Sequence, residues 1–116
     1  VRLVGHGQSA RLENRVPGGD TNPYLALAAM LAGGLYGIEN GRGPEPEQSG
    51  NAYESDQPKG PTTLREAREA FTTSTVARSL LGDEVVDHYT NMADVELAAY
   101  DAAVTDWELR RGFERL

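Results

Sequence analysis

Hydrophobic and polar residues follow three different rhythms along this chain, and each predicts a different element. Near the front, Arg11, Leu12, Glu13, Asn14 and Arg15 alternate ionic with uncharged side chains, the period of a strand. Arg11, Glu13 and Arg15 then share one face at spacings of about 6.6 to 6.8 Å, and Leu12, Asn14 and Val16 take the other. From Tyr24 to Ile38 no charged residue interrupts the run, so a helix over 22–40 is expected to be apolar on all sides and buried. Asn22 is a preferred N-cap, Pro23 suits the first helical position, and Asn40 with Gly41 supplies the stop. The run is too short for a membrane span, which needs about 20 apolar residues.

Residues 41–61 break the pattern with Pro44, Pro46, Pro58, Pro61 and four glycines, and read as a loop, unusually long at about 20 residues. The third rhythm begins at Thr63, Leu64, Arg65 and Glu66, which has the form of a capping box. That helix should run to about Phe71, with a break in the Thr72–Thr75 cluster, a short segment over 76–81, and a stop at Gly82. One long amphipathic helix is then expected over 83–111, about 40 Å at 1.5 Å per residue. Its apolar stripe is Val85, Val86, Tyr89, Met92, Ala93, Leu97, Tyr100, Val104 and Trp107, spaced mostly by three and four. Asp87, Asp94, Glu96, Asp101, Asp106 and Glu108, with His88, read as its solvated side rather than as catalytic carboxylates.

The charge balance, 11 basic against 18 acidic residues for a net −7, argues against nucleic acid and anionic membranes as partners. Absence of cysteine removes disulfide and thiolate chemistry and suits a reducing, cytoplasmic setting. The Arg11, Glu13, Arg15 row is open to two readings from its residues alone: a self-paired, solvated surface, or one wall of a site that handles anions.

The context extends the row into a longer pattern. Arg11, Leu12, Glu13, Asn14 and Arg15, followed by Asp20, Thr21, Asn22, Pro23, Tyr24, Leu25, Ala26, Leu27 and Ala28, resemble the R-x-E-x-R, turn, N-P-Y-L-A signature of the glutamine synthetase family. Ala32 to Ile38 is similar to the Gly-punctuated stretch that continues the same helix there. The resemblance implies an α+β fold: the C-terminal portion of a glutamine synthetase catalytic domain, with a strand pair over 1–16 and mostly helices after it. It implies ATP-dependent activation of the glutamate γ-carboxylate as an acyl phosphate, then attack by ammonia or another amine. By this resemblance Glu13 is the metal ligand for Mg²⁺ or Mn²⁺, and Arg15 is the catalytic and glutamate-binding arginine. The resemblance also implies that Arg11 and Arg2 contact ATP and that the parent is a homo-dodecamer of two hexameric rings. The chemistry is compatible with those residue types, since phosphoryl transfer calls for arginines on phosphate oxygens and for hard oxygen ligands on the metal. One glutamate does not complete an octahedral metal site, so the fragment alone is expected to be inactive.

The sequence also departs from the family. Gly5, His6, Gly7, Gln8, Ser9 and Ala10 form a short connection without the nucleotide-contacting lysine of typical bacterial members, and His6 is read as an exposed turn residue. Asn51, Ala52, Tyr53 occupies the place of the adenylylated N-L-Y, but its flanks differ, so Tyr53 is read as an ordinary loop tyrosine. The ending Trp107, Glu108, Leu109, Arg110, Arg111, Gly112, Phe113, Glu114 is similar to the W-E-x-x-R-x-F-E ending of glutamine-synthetase-like paralogues that join glutamate to polyamines or other amines. Two alternatives therefore stand beside plain glutamine synthesis: a γ-glutamylpolyamine synthetase, and a paralogue that has lost catalysis.

Overall fold

The front of the chain forms a hairpin because a tight glycine-containing turn returns it on itself. In the computed structural model, which describes residues 1–48, 50–113 and 115, strand β1 (Arg2–Val4) pairs antiparallel with β2 (Arg11–Glu13). The register sets Arg2 opposite Glu13, Leu3 opposite Leu12 and Val4 opposite Arg11. A single 3-10 turn, Gly7–Ser9, connects them. Gly5 sits at φ +85°, and a Cβ there would lie 2.3 Å from the Ser9 carbonyl oxygen, so no other residue fits this corner. The Ser9 hydroxyl donates to the His6 carbonyl at 2.8 Å and accepts from the His6 N–H at 3.1 Å, which closes the turn. His6 itself is exposed.

The second strand is shorter than the alternation predicts. It ends at Glu13 rather than running through Arg15, because the Asn14 side-chain oxygen accepts from the Val16 N–H at 3.1 Å, a local turn that competes with strand pairing. Pro17 then follows, which has no N–H to give to a ladder.

Helix α1 (Pro23–Glu39) starts and stops where the sequence signals lie. Asn22 Oδ1 accepts from the N–H groups of Tyr24 and Leu25 at 3.0 and 3.3 Å. At the other end the Arg42 N–H reaches the Gly37 carbonyl and the Gly41 N–H reaches the Ile38 carbonyl, a Schellman closure that needs the positive φ of Gly41. The expected burial is absent: α1 contains no buried residue, and Leu31 and Ile38 are 70% and 79% exposed. An all-round apolar helix needs neighbours on every side, and this chain by itself does not supply them.

Val1–Pro44 and Glu45–Leu116 are separate compact units. In the second, the described residues of 45–61 are irregular apart from one 3-10 turn at Ala52–Glu54, where Tyr53 stands 89% exposed. Helices α2 (Leu64–Thr73), α3 (Thr75–Leu81) and α4 (Asp83–Ala102) follow, with α2 and α3 both packed on α4. Ser74 ends α2 and caps α3, its hydroxyl accepting from the Ala77 N–H at 3.0 Å. Gly82, at φ +84°, ends α3 and opens α4. The core is small, with Val86 fully buried and Thr90 nearly so, and half-buried Val85, Tyr89, Ala93 and Leu97 lie on the same stripe.

The expected single helix over 83–111 is two helices. α4 stops at Ala102 and α5 covers Asp106–Phe113, so the long helix is about 30 Å rather than about 40 Å. Thr105 and Glu108 form a capping box at the break. The Glu108 carboxylate accepts from the Thr105 N–H at 3.0 Å and from its hydroxyl, while that hydroxyl accepts from the Trp107 N–H at 3.3 Å. Met92, Tyr100, Val104 and Trp107, placed on the apolar stripe by spacing, are exposed. Glu114, the last residue of the tail pattern, lies outside the described residues.

The carboxylates read as the solvated side are exposed, and several of them also form ion pairs with arginines. Arg68 grips Asp94 through two hydrogen bonds of 2.9 Å, Arg65 binds Asp101 at 2.8–2.9 Å, and Arg78 bridges Asp83 and Asp87. The Asp94 bonds raise the Arg68 pKa, and those to Asp83 and Asp87 raise that of Arg78.

Two glutamates give the helical unit an acid limit. The Glu66 pKa is lowered, first by the hydrogen bond from the Thr62 N–H, and that of Glu108 first by the Thr105 hydroxyl. A depressed folded-state pKa contributes stability above the unfolded value of about 4.3, and that stability is lost as pH falls through the folded value. Amide protection, taken relative to the intrinsic exchange rate at each pH, should therefore fall at the first turns of α2 and α5 below about pH 4, ahead of the α4 amides. Uniform exchange across all three helices would contradict this.

Candidate functional site

The hairpin assembles the charged row that the alternation indicates, and adds a member. Arg2 faces Glu13 across the ladder, and Arg11 lies two residues before Glu13 on the same face of β2. Arg15 has left the strand, yet its Nε still lies 3.5 Å from Glu13 Oε2. Arg11 Nη2 stands 3.5 Å from Glu13 Oε1, and Arg2 Nη1 stands 4.0 Å from Oε2. All four residues singled out by the sequence thus meet around one carboxylate.

The carboxylate is the sheltered member, its side chain 29% exposed against 59–71% for the three arginines. The contacts are longer than the roughly 2.7–2.9 Å of a charge-assisted hydrogen bond, so attraction gathers the guanidiniums without locking them. Arg11 is steadied further by donating to the Ser9 carbonyl at 3.4 Å. Three cations against one anion leave a local positive excess in a chain of net −7. Such a patch suits phosphate and carboxylate groups, which guanidinium forks bind bidentately.

A resident divalent cation fits this chain only in part. Glu13 offers hard oxygen ligands, but among the described residues no group of three or more His, Asp or Glu side chains is placed to hold a metal. The adjacent guanidiniums oppose a cation as well, so the donor set present here does not make a metal site by itself. Among the described residues no helix is long and apolar enough to cross a membrane.

The family profile described as glutamine synthetase, catalytic domain, matches residues 1–112. The chain belongs to the glutamine synthetase family. It is similar to the γ-glutamylethanolamide synthetase of Streptomyces coelicolor, at 62% identity over 117 residues that cover all of this chain and 25% of that protein. It is similar to the glutamate–isopropylamine ligase of a Pseudomonas species, at 45% identity over 94% of this chain and 24% of that protein. The glutamine synthetase of Thermus thermophilus is 38% identical over 90% of this chain and 25% of its own length. The chain therefore spans about a quarter of the length of the curated relatives it matches. As a glutamine synthetase catalytic-domain segment it is α+β, a short hairpin followed mostly by helices.

Sequence reading missed two features of this segment. The signal for the α4–α5 break was present, because Thr105, Asp106, Trp107, Glu108 is itself a capping-box pattern within the apparent amphipathic run. The direct opposition of Arg2 and Glu13 had no local signal, since it depends on the hairpin register.

Proposed function

We propose that the protein carrying this chain is an ATP-dependent glutamate–amine ligase, and that the hairpin is one wall of its active site. The observation that carries the reading is the convergence of Arg2, Arg11 and Arg15 on Glu13. In the proposed reaction a γ-carboxylate oxygen of glutamate attacks the terminal phosphorus of ATP, giving γ-glutamyl phosphate and ADP. The amine then attacks the acyl carbon, loses a proton, and expels phosphate that carries the former carboxylate oxygen.

Each step moves negative charge between oxygens, which positioned guanidiniums stabilise. Arg2 and Arg11 are assigned to the ATP phosphates and Arg15 to glutamate, where it orients the substrate and offsets charge on the acyl oxygen. Glu13 is assigned as a single ligand to Mg²⁺ or Mn²⁺, whose remaining ligands would come from outside this chain. The ion would supply Lewis acidity at the phosphates. The cytoplasmic setting and the assembly into two hexameric rings belong to the same proposal.

For the acceptor we favour a small primary amine, with ethanolamine ahead of ammonia. The 62% identity to a γ-glutamylethanolamide synthetase and the 45% identity to a glutamate–isopropylamine ligase support it. Polyamines, favoured by the tail resemblance, are the rival acceptors. A non-catalytic paralogue has less support, because a scaffold has no need of a carboxylate held among three arginines. The test is to supply full-length protein with glutamate, ATP, Mg²⁺ and one amine at a time, and weigh the γ-glutamyl products. Ethanolamine should give the highest kcat/KM; preference for putrescine or spermine would move the reading to the polyamine class, and no product with any amine would favour the scaffold.

A further inference from the structure

The Glu13 carboxylate lies within 4.0 Å of three guanidiniums that point to no other carboxylate among the described residues. We propose that Glu13 is an internal competitor for the anions this site binds: it gathers Arg2, Arg11 and Arg15 into one cradle and moderates their affinity until a phosphate or carboxylate displaces it. This deepens the ligase reading, and rests on it only for the identity of the anions.

The distances argue for a releasable hold. At 3.5 to 4.0 Å, with the arginines 59–71% exposed, the ion pairs are attractive but unlocked, and an incoming phosphate can offer each guanidinium shorter, bidentate bonds. Exposed pairs of this kind are individually weak, so exchange from Glu13 to a polyanion has a small opposing term for each arginine. The register makes the competition collective, because Arg2 and Arg11 approach from opposite strands and Arg15 from beyond the strand end. Moderation has a chemical use: arginines bound too firmly to phosphate would retain product.

Inorganic pyrophosphate, titrated calorimetrically into full-length protein in EDTA at low salt, reads this directly. Glu13→Gln, which keeps the shape and removes the charge, should tighten binding by about 3- to 30-fold. Arg15→Gln should weaken binding more in the Glu13→Gln background than in the native one, because there Arg15 is no longer shared. Glu13→Asp, whose carboxylate is withdrawn by one methylene, should fall between native and Gln, and decides the matter if the Gln variant does not assemble. Equal or weaker pyrophosphate binding in these Glu13 variants, or an Arg15 penalty independent of Glu13, would overturn the proposal. Tightening is a gain that loss of structure does not produce. γ-Glutamyl amide formation by native protein is scored separately, so failure of the ligase reading and failure of this inference remain distinct.

Discussion

Glu13→Ala in the full-length protein should lower metal-dependent turnover by about 100-fold or more, without raising KM for ATP or changing the assembled size. The two halves of that result come from the two relations of one carboxylate. In its proposed role as a single oxygen ligand among several, its loss should degrade the placement of charge on the transferring phosphoryl group, which acts on kcat. As the partner of Arg2, Arg11 and Arg15, its loss frees cations that bind phosphate, which keeps ground-state nucleotide binding intact. The side chain sits on a three-residue strand at the surface of its unit and supports no buried core, so assembly should persist. Steady-state kinetics with size-exclusion chromatography checks this. Unchanged turnover would return the row to a self-paired surface.

The second large effect concerns α1. As an isolated 116-residue chain, the protein should form no γ-glutamyl amide, and the α1 amides should exchange with solvent far faster than in the full-length protein. Leu27, Leu31, Leu35 and Ile38 are all more than half exposed in this chain, and each such side chain gains about 1.5–3 kcal/mol when fully covered. A helix of 17 residues with capped ends but no packing is marginal in water, because most helical stability in proteins comes from burial of a face. The α4 amides around Val86 and Thr90, which have partners in α2 and α3, should keep their protection in both forms. Equal protection of α1 in chain and full-length protein would contradict this account.

What the sequence made legible follows the range of the forces involved. The ends of α1 and the start of α2 were readable because caps are local: Asn22 serves the two N–H groups just ahead of it, and the Thr63 hydroxyl accepts from the Glu66 N–H at 3.2 Å. Arg11 and Glu13 shared a face as their spacing required, whereas Arg15 reached the cluster from outside the strand, because the Asn14 turn outweighed the alternation. The break before α5 was hidden by a hydrophobic period that continued across it. Long-range pairs stayed invisible: nothing local joins Arg68 to Asp94, or Arg2 to Glu13, until helix packing and hairpin register bring them together. The family assignment was legible for a different reason, since R-x-E-x-R joined to N-P-Y-L-A is long enough to be specific, and the match over residues 1–112 bears it out.

Activation of glutamate by phosphorylation of its γ-carboxylate has one direct measurement. Full-length protein is given glutamate labelled with ¹⁸O in the γ-carboxylate, together with ATP, Mg²⁺ and ethanolamine, and the released phosphate is analysed by mass spectrometry. One labelled oxygen transferred to phosphate for each γ-glutamyl amide formed is the predicted result. Amide formation with unlabelled phosphate would contradict it.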